Sequence, residues 1–391
     1  MNVALFTDTY PPEINGVATS TANLKKTLEA HGNNVIVVAT NPYNNSVTYE
    51  EGVLRVPGVY MEKLYGYRMS WLYNTEAMRI LMDFRPDVVH CQTDAGIGMF
   101  GNLVAAKLHI GVIYTYHTQI EDYASYLTRG HFDRVTRHVV RGFFRNKMKI
   151  FDAIISPSEK SLDYLRSIGV DSNIAVVPTG IEFSRFSIEK EDKRQTAALK
   201  QRFGIMPNDY VLLSLGRIAK EKSIDVLLRG YAAYLAKKPA KPTKFVITGW
   251  GPAEKELQEL TASLGIKDHV IFTGKVPPDQ TQLYYHLGDM FMSASLTETQ
   301  GLTFMEAMSA SLPVLARYDD NLVGTIKDGD TGFFFFDEED FPSKLDHVIN
   351  MSEAERKAII RRGMDAIEPY SMEHFYQSIM EVYQRVCRRN W

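Results

Sequence analysis

The feature that most narrows what this chain can fold into is an alternation of short apolar runs with helix-length segments. The first series is VALFTD (Val3 to Asp8), VIVVAT (Val35 to Thr40), VLRVPG near Val53, DVVHCQ (Asp87 to Gln92), GVIYTYHT (Gly111 to Thr118), DAIISPS (Asp152 to Ser158) and IAVVPTG (Ile174 to Gly180). A second series follows: YVLLSLG (210–216), KFVITGWG (244–251), HVIFTG (269–274), DMFMSAS (289–295), LPVLAR (312–317) and GFFFF (332–336). Such a pattern predicts mostly parallel sheets covered by helices. Ligands of these sheets bind at the carboxyl ends of the strands, where Asp8, Thr9, Gln92, His117 and the 179–182 loop fall.

The charged stretch FSRFSIEKEDKRQTAALKQRFGIMPND separates the two series and puts a domain junction near residue 185. Two similar α/β domains are therefore expected, 1–184 and 185–370. In the terminal segment 371–391, Phe375, Ile379, Val382, Tyr383 and Val386 follow a near-helical period, which predicts a helix packing back on the first domain.

Composition excludes several classes. With 391 residues, 45% hydrophobic and 23% charged, the chain has enough apolar material for two sizeable cores, and disorder is not expected. A formal net charge of −3 argues against a general nucleic-acid binder. The two cysteines, Cys91 and Cys387, are far apart and lack metal-ligand spacing, so neither a disulfide scaffold nor a zinc site is indicated. MNVALFTDTY carries no signal-peptide pattern and no run of 18 apolar residues occurs, so a cytoplasmic chain, soluble or peripheral to a membrane, is expected.

Chemistry concentrates in SLTETQGLTFMEAMSASLPVLA, Ser295 to Ala316. A strand runs through a polar turn into a helix, so backbone N–H groups from Gln300 to Thr303 should point outward at a helix N-terminus, an anion site. Glu298 lies in the turn and Glu306 on the helix, able to hold two ends of one ligand. A solvated loop acid and an exposed helix acid would satisfy the same pattern. Near the N-terminus, Asn15-Gly16 precedes another helix, and Gly16, without a Cβ, permits close backbone approach to a ligand or simply makes a turn.

Glu298 to Glu306 resembles the E-x7-E signature of the family 4 retaining glycosyltransferases, which have the GT-B fold: two Rossmann-like parallel-sheet domains facing each other across a cleft. GRIAKEKS (Gly216 to Ser223) is similar to the family's G-R-x-x-x-[EQ]-K-[GN] element, TGWGP (Thr248 to Pro252) to its G-x-G-P turn, VPTGIE to V-P-N-G-I-D, and Asn15 to Val17 to its glycine loop. Ser223, Trp250, Thr179 and Glu182 depart from the usual residues. The resemblance implies that Arg217 and Lys222 hold a nucleotide diphosphate, whose developing charge needs cations. It further implies that Glu306 bonds the ribose hydroxyls and that Glu298 bonds the 3- and 4-hydroxyls of the donor sugar. The amides of Gln300, Gly301, Leu302 and Thr303 would assist, with Gly16, Gly249 and Val276 lining the donor site and His117 beside the donor sugar. Members of the family need no dedicated nucleophile, the departing phosphate taking the acceptor's proton. No D-x-D motif is evident, so no cofactor and no metal requirement are expected.

Residues 129–151, RGHFDRVTRHVVRGFFRNKMKIF, hold seven Lys/Arg and one acid, Asp133. A helical wheel sets Phe132, Val135, Val139 and Phe143 in one stripe and Arg134, Arg137, His138, Arg141, Arg145 and Lys149 opposite. That pattern suits an anionic membrane surface, and equally a surface helix with a buried apolar face. With HTQIEDY (His117 to Tyr123) and Pro157-Ser158, the region resembles the bacterial branch that glucosylates diacylglycerol from UDP-glucose, which implies a UDP-sugar donor and a membrane lipid acceptor. Tyr65, Tyr67, Met69, Trp71 and Leu72 are candidates to cover acyl chains or to pack in a core. A soluble, glycolipid or polyprenyl acceptor, another nucleotide sugar, an epimerase, and a non-catalytic nucleotide-sugar-binding protein remain alternatives.

Overall fold

The computed structural model describes residues 1–13, 16–61, 67–70, 73–117, 134–296, 298 and 300–389, with backbone alone at 60, 61, 67, 69, 134–139 and 389. The chain forms two compact units, Met1–Gly180 with Met372–Trp391, and Ile181–Ser371.

The first unit contains β1 (Asn2–Thr7), β2 (Asn34–Thr40), β3 (Thr48–Glu50), β4 (Val53–Val56), β5 (Gly58–Met61), β6 (Tyr67–Ser70), β7 (Val88–Cys91), β8 (Gly111–Thr115), β9 (Ala153–Ser156) and β10 (Ile174–Val176). Eight of these make one sheet in the order β10-β9-β8-β7-β1-β2-β4-β3. Every pairing is parallel except β3 with β4. A parallel sheet is buried on both faces, which is why its strands are uninterrupted apolar runs. In β1, Ala4 and Phe6 enter one core while Val3 and Leu5 enter the other.

That second core is closed by the helix Met372–Arg389, whose Phe375, Ile379, Val382, Tyr383 and Val386 are all buried. The imidazole of His90, fully buried in β7, pins this helix from beneath: Nδ1 is 2.8 Å from the Tyr383 hydroxyl and Nε2 is 2.6 Å from Thr115 Oγ1. Burial pushes the His90 pKa down to about 3, so the ring is neutral.

The second unit contains β11 (Tyr210–Leu215), β12 (Thr243–Thr248), β13 (Val270–Phe272), β14 (Met290–Ser293), β15 (Val314–Arg317) and β16 (Phe333–Phe335). They pair in the order β13-β12-β11-β14-β15-β16, all parallel. Strand order reverses between β1 and β7 in the first sheet and between β11 and β14 in the second. At such points the loops leaving adjacent carboxyl ends diverge and open a crevice.

LYGYRMSWLY contributes β6, which pairs antiparallel with β5 and sets Val59 opposite Met69. Tyr65, Trp71 and Leu72 lie outside the described residues, and of Tyr67 and Met69 only the backbone is described. No described helix is long and apolar enough to cross a membrane.

Candidate functional site

In the second unit the reversal point brings together the loops after β11 and β14. The chain leaves β11 through Gly216 and Arg217, makes a short 3-10 turn at Lys220–Lys222 and enters the helix Ile224–Ala236. The loop after β14 carries Glu298 and reaches Gly301, which stands at φ 73° as the N-cap of the helix Leu302–Ser309. A Cβ at Gly301 would meet Leu322 Cδ2 at 2.6 Å, so both conformation and space call for glycine. The first amides of that helix, Leu302 and Thr303, have no intrahelical acceptor and supply donors at the reversal point.

Across it, Lys222 Nζ donates to Glu298 Oε1 at 2.7 Å. The Glu298 carbonyl accepts from Asn321 Nδ2 at 2.6 Å, fixing the loop that carries the acid. Arg217 is half exposed and lies 4.0 Å from Glu221, a contact that solvent weakens. Glu306, on the helix, accepts a hydrogen bond at Oε2 from the Tyr285 hydroxyl at 2.7 Å. Burial raises the affinity of Glu306 for a proton, while Tyr285 and the Arg185 charge oppose the rise.

The adjacent turn is set by backbone contact. Gly249, at φ 133°, packs so closely on the turn after β11 that a Cβ would lie 1.8 Å from the Gly216 carbonyl oxygen. Gly249 N–H donates to Gly274 O and Ile218 N–H to Trp250 O, so the three turns after β11, β12 and β13 form one rim. Val276, half-buried, follows two residues beyond Gly274. Arg217, Lys222, Gly249, Val276, Glu298, Gln300, Gly301, Leu302, Thr303 and Glu306 thus all belong to this unit, on its carboxyl-end loops or the helix they start. Tyr285 and Asn321 were not singled out from the sequence; both act on the acids from distant positions, and no local pattern announces them.

In the first unit, Gly16 opens the helix Gly16–Ala30 with open space where a Cβ would stand, while Asn15 lies outside the described residues. His117 follows β8, and its Nε2 is 2.8 Å from Gln92 Oε1 at the end of β7. Burial lowers the His117 pKa to about 4, so it is a neutral hydrogen-bonding ring. Asp8, at the end of β1, accepts from the Ile97 N–H at 3.0 Å where the helix Gly96–Leu108 begins. Burial outweighs its hydrogen bonds and raises its pKa to about 6. Beside it Lys147 donates to Asp94 at 3.2 Å. Asp94 and Lys147 also carried no distinguishing signal in the sequence.

Lys147 belongs to the basic helix, Arg134–Met148. The side chains of Arg134, Val135, Arg137, His138 and Val139 are not described, and Phe132 and the segment 118–123 lie outside the described residues. The expected apolar stripe through Phe143 is corrected: Phe143 is 72% exposed, whereas Phe144 and Met148 are buried, with Val140 packed against the same core. Apolar doublets at 139–140 and 143–144 allow either register, and Met148, four residues after Phe144, settles it. Arg145, Lys149 and Ile150 are exposed and Arg141 is half-buried. Among the described residues no group of His, Cys, Asp and Glu could hold a metal ion.

A carboxylate held by a lysine, a second carboxylate on the helix that follows and the first amides of that helix between them can take a ligand that carries both anionic and hydroxyl groups. Residues 14–185 match the model of Glycosyltransferase Family 4, and residues 195–364 that of Glycosyl transferases group 1. The α-monoglucosyldiacylglycerol synthase of Streptococcus pneumoniae is 36% identical over 88% of this chain and 77% of its own length. That of Acholeplasma laidlawii is 32% identical over 100% of this chain and 98% of its own. The crystal structure of HepE from Anabaena, in complex with UDP and glucose, superposes with a TM-score of 0.73 at 16% identity, over 98% of this chain and all of that one. At that identity the likeness speaks for the fold alone, and the fold is GT-B. With the motifs in register along both units and two relatives above 30% identity over most of its length, the chain belongs to the retaining glycosyltransferases of family 4.

Proposed function

We propose that this chain transfers glucose from UDP-glucose to the 3-hydroxyl of diacylglycerol at a membrane surface, giving α-monoglucosyldiacylglycerol. The observation that carries the reading is the 36% and 32% identity to two α-monoglucosyldiacylglycerol synthases across 88% and 100% of the chain.

On this reading the unit Ile181–Ser371 takes the donor. Arg217 and Lys222 neutralise the diphosphate as its bond to the sugar breaks, doing the work a metal ion does in other transferases. Glu298 accepts hydrogen bonds from the 3- and 4-hydroxyls of the glucose, and Glu306 from the ribose, since an ionised carboxylate can accept from two vicinal hydroxyls. The amides from Gln300 to Thr303 bond the phosphate oxygens, and Gly249 and Val276 line the nucleotide end. Lys222 begins 2.7 Å from Glu298, so one cation serves both the sugar-binding acid and the leaving group.

The unit containing residues 1–180 takes the acceptor. Gly16, which has no Cβ, and neutral His117, oriented by Gln92, are the groups of that unit proposed to meet the substrates. Arg134, Arg137, Arg141, Arg145 and Lys149 meet anionic headgroups, at roughly 1 kcal/mol for each basic residue near the surface. The cytoplasmic face of the cell membrane is the working surface.

The test is radiolabelled UDP-glucose with mixed anionic vesicles, with and without diacylglycerol, resolved by thin-layer chromatography. A labelled lipid that forms only with diacylglycerol supports the proposal. Slow release of free glucose without labelled lipid would reject diacylglycerol as acceptor and keep the nucleotide sugar.

A further inference from the structure

Tyr285 ends a short helix, Thr281–Tyr285, and is fully buried among aromatic rings, with Phe186 at 5.5 Å edge-on and Phe291 at 5.9 Å. Phenylalanine would suit such surroundings better, because a buried hydroxyl must be matched. The Tyr285 hydroxyl meets two acceptors, Glu306 Oε2 at 2.7 Å and the Thr303 carbonyl at 3.3 Å. Both lie on the first turns of the helix Leu302–Ser309. Glu306 Oε1 accepts no hydrogen bond from the described residues, and Glu306 is half-buried rather than sealed.

We propose that Tyr285 is a positioning residue for the donor: it ties down Oε2 of Glu306 so that Oε1 is presented to the ligand in a fixed direction. The inference rests on the reading of Glu306 as a nucleotide ligand. A glutamate has three side-chain torsions, and freezing them on binding costs affinity. The tyrosine freezes them before the ligand arrives. Its hydroxyl serves either protonation state, donating to the carboxylate, or accepting from the neutral acid while donating to Thr303 O. Arg185 completes the arrangement: held by the Pro278 carbonyl, Thr281 Oγ1 at 2.9 Å and Gln282 Oε1 at 3.2 Å, it grips the turn that leads into Tyr285 and directs positive charge toward Glu306.

The experiment is titration calorimetry of UDP into the wild type, Tyr285→Phe, Glu306→Ala and the double variant, with steady-state kinetics on UDP-glucose. Phenylalanine fills the same aromatic space, so only the hydroxyl is removed. The expected result is a loss of UDP affinity of about tenfold in Tyr285→Phe, as for a hydrogen bond to a charged group. Donor KM should rise with it while kcat stays within about threefold. On the Glu306→Ala background the same substitution should change the UDP Kd by less than about twofold, because its partner is gone. Wild-type affinity in Tyr285→Phe, or a further loss of about tenfold on the Glu306→Ala background, overturns the proposal. If Glu306→Ala binds UDP as the wild type does, the nucleotide role of Glu306 falls and the positioning role falls with it; if Glu306→Ala weakens binding and Tyr285→Phe does not, only the tyrosine's role is lost.

Discussion

Lys222 and Glu298, 76 residues apart in sequence, form an ion pair of 2.7 Å that ties the loop after β11 to the loop after β14. The lysine side chain is 30% exposed and the glutamate 14%, so the pair sits at the edge of the protein with water still in reach. On the proposed reading, a diphosphate arriving there would compete with Glu298 for the ammonium, and sugar hydroxyls would compete with Lys222 for the carboxylate. Binding would then redistribute an existing pair rather than create one from solvated groups.

Glu298→Gln keeps the side chain's length but removes the charge that pairs with Lys222 and, on the proposed reading, binds the sugar. Turnover should fall by about a hundredfold, while UDP affinity changes by less than about threefold, because the loss is felt mainly as charge develops. Single-turnover kinetics with calorimetry separates the two. A variant that loses UDP binding and keeps turnover at saturating donor would reverse the roles assigned to Glu298 and Glu306.

Gly249→Ala puts a Cβ where the Gly216 carbonyl oxygen would be 1.8 Å away, at a φ of 133° that alanine resists. One of the two turns must move, and stability should drop by about 3 kcal/mol or more. Urea denaturation measures it, and a loss below about 1 kcal/mol would mean that the rim of turns yields easily.

His90 has a folded pKa of about 3 against 6.5 when unfolded. Between those values the unfolded chain binds more protons at this site, so its contribution to stability is complete above pH 6.5 and is lost as pH falls toward 3. The slope reaches about 1.4 kcal/mol per pH unit. His117, lowered to about 4, acts in the same sense, whereas Asp8, raised to about 6, acts in the opposite sense at mildly acid pH. The quantity to measure is the difference between wild type and His90→Asn in denaturation midpoints from pH 7 to pH 5. The variant should be less stable at pH 7 and lose less on acidification; parallel curves would show that His90 charges freely in the fold.

Phe143→Ala removes an exposed ring from the basic helix. Folding stability should stay within about 0.5 kcal/mol. Partition onto anionic vesicles should change by less than about threefold, because the ring lies across the helix from the arginines. Vesicle sedimentation reads this directly, and a loss of about tenfold, which burying the ring at about 2 kcal/mol would give, would put Phe143 rather than the arginines in the lipid contact. Arg137, Arg141 and Arg145 changed jointly to Glu should abolish vesicle binding and spare donor hydrolysis in solution.

The parallel strands were legible because most are buried on both faces and so are written as apolar runs of strand length. β3, with the polar sequence Thr48-Tyr49-Glu50 at the sheet edge, carries no such run, and β5 and β6 pair only with each other. The acids Glu298 and Glu306 were legible because a strand, turn and helix in succession is a local pattern. Tyr285 was not: in Tyr284-Tyr285-His286 nothing distinguishes one ring from the next, and its hydroxyl finds Glu306 only after β14 and the following turn have formed. The basic helix was legible as amphipathic, but its register was not, because paired apolar residues at 139–140 and 143–144 left two faces open until Met148 chose between them.

The first unit is assembled from two pieces of chain, 1–180 and 372–389, while the second occupies one continuous stretch. On the ribosome the second unit has all its residues in hand before the first does. Until the last helix emerges, Val3, Leu5, Ile113 and Ile155 have an uncovered face, and a nascent chain in that condition is prone to aggregate or to recruit chaperones. Premature termination anywhere before residue 372 would thus damage the earliest part of the protein to be made.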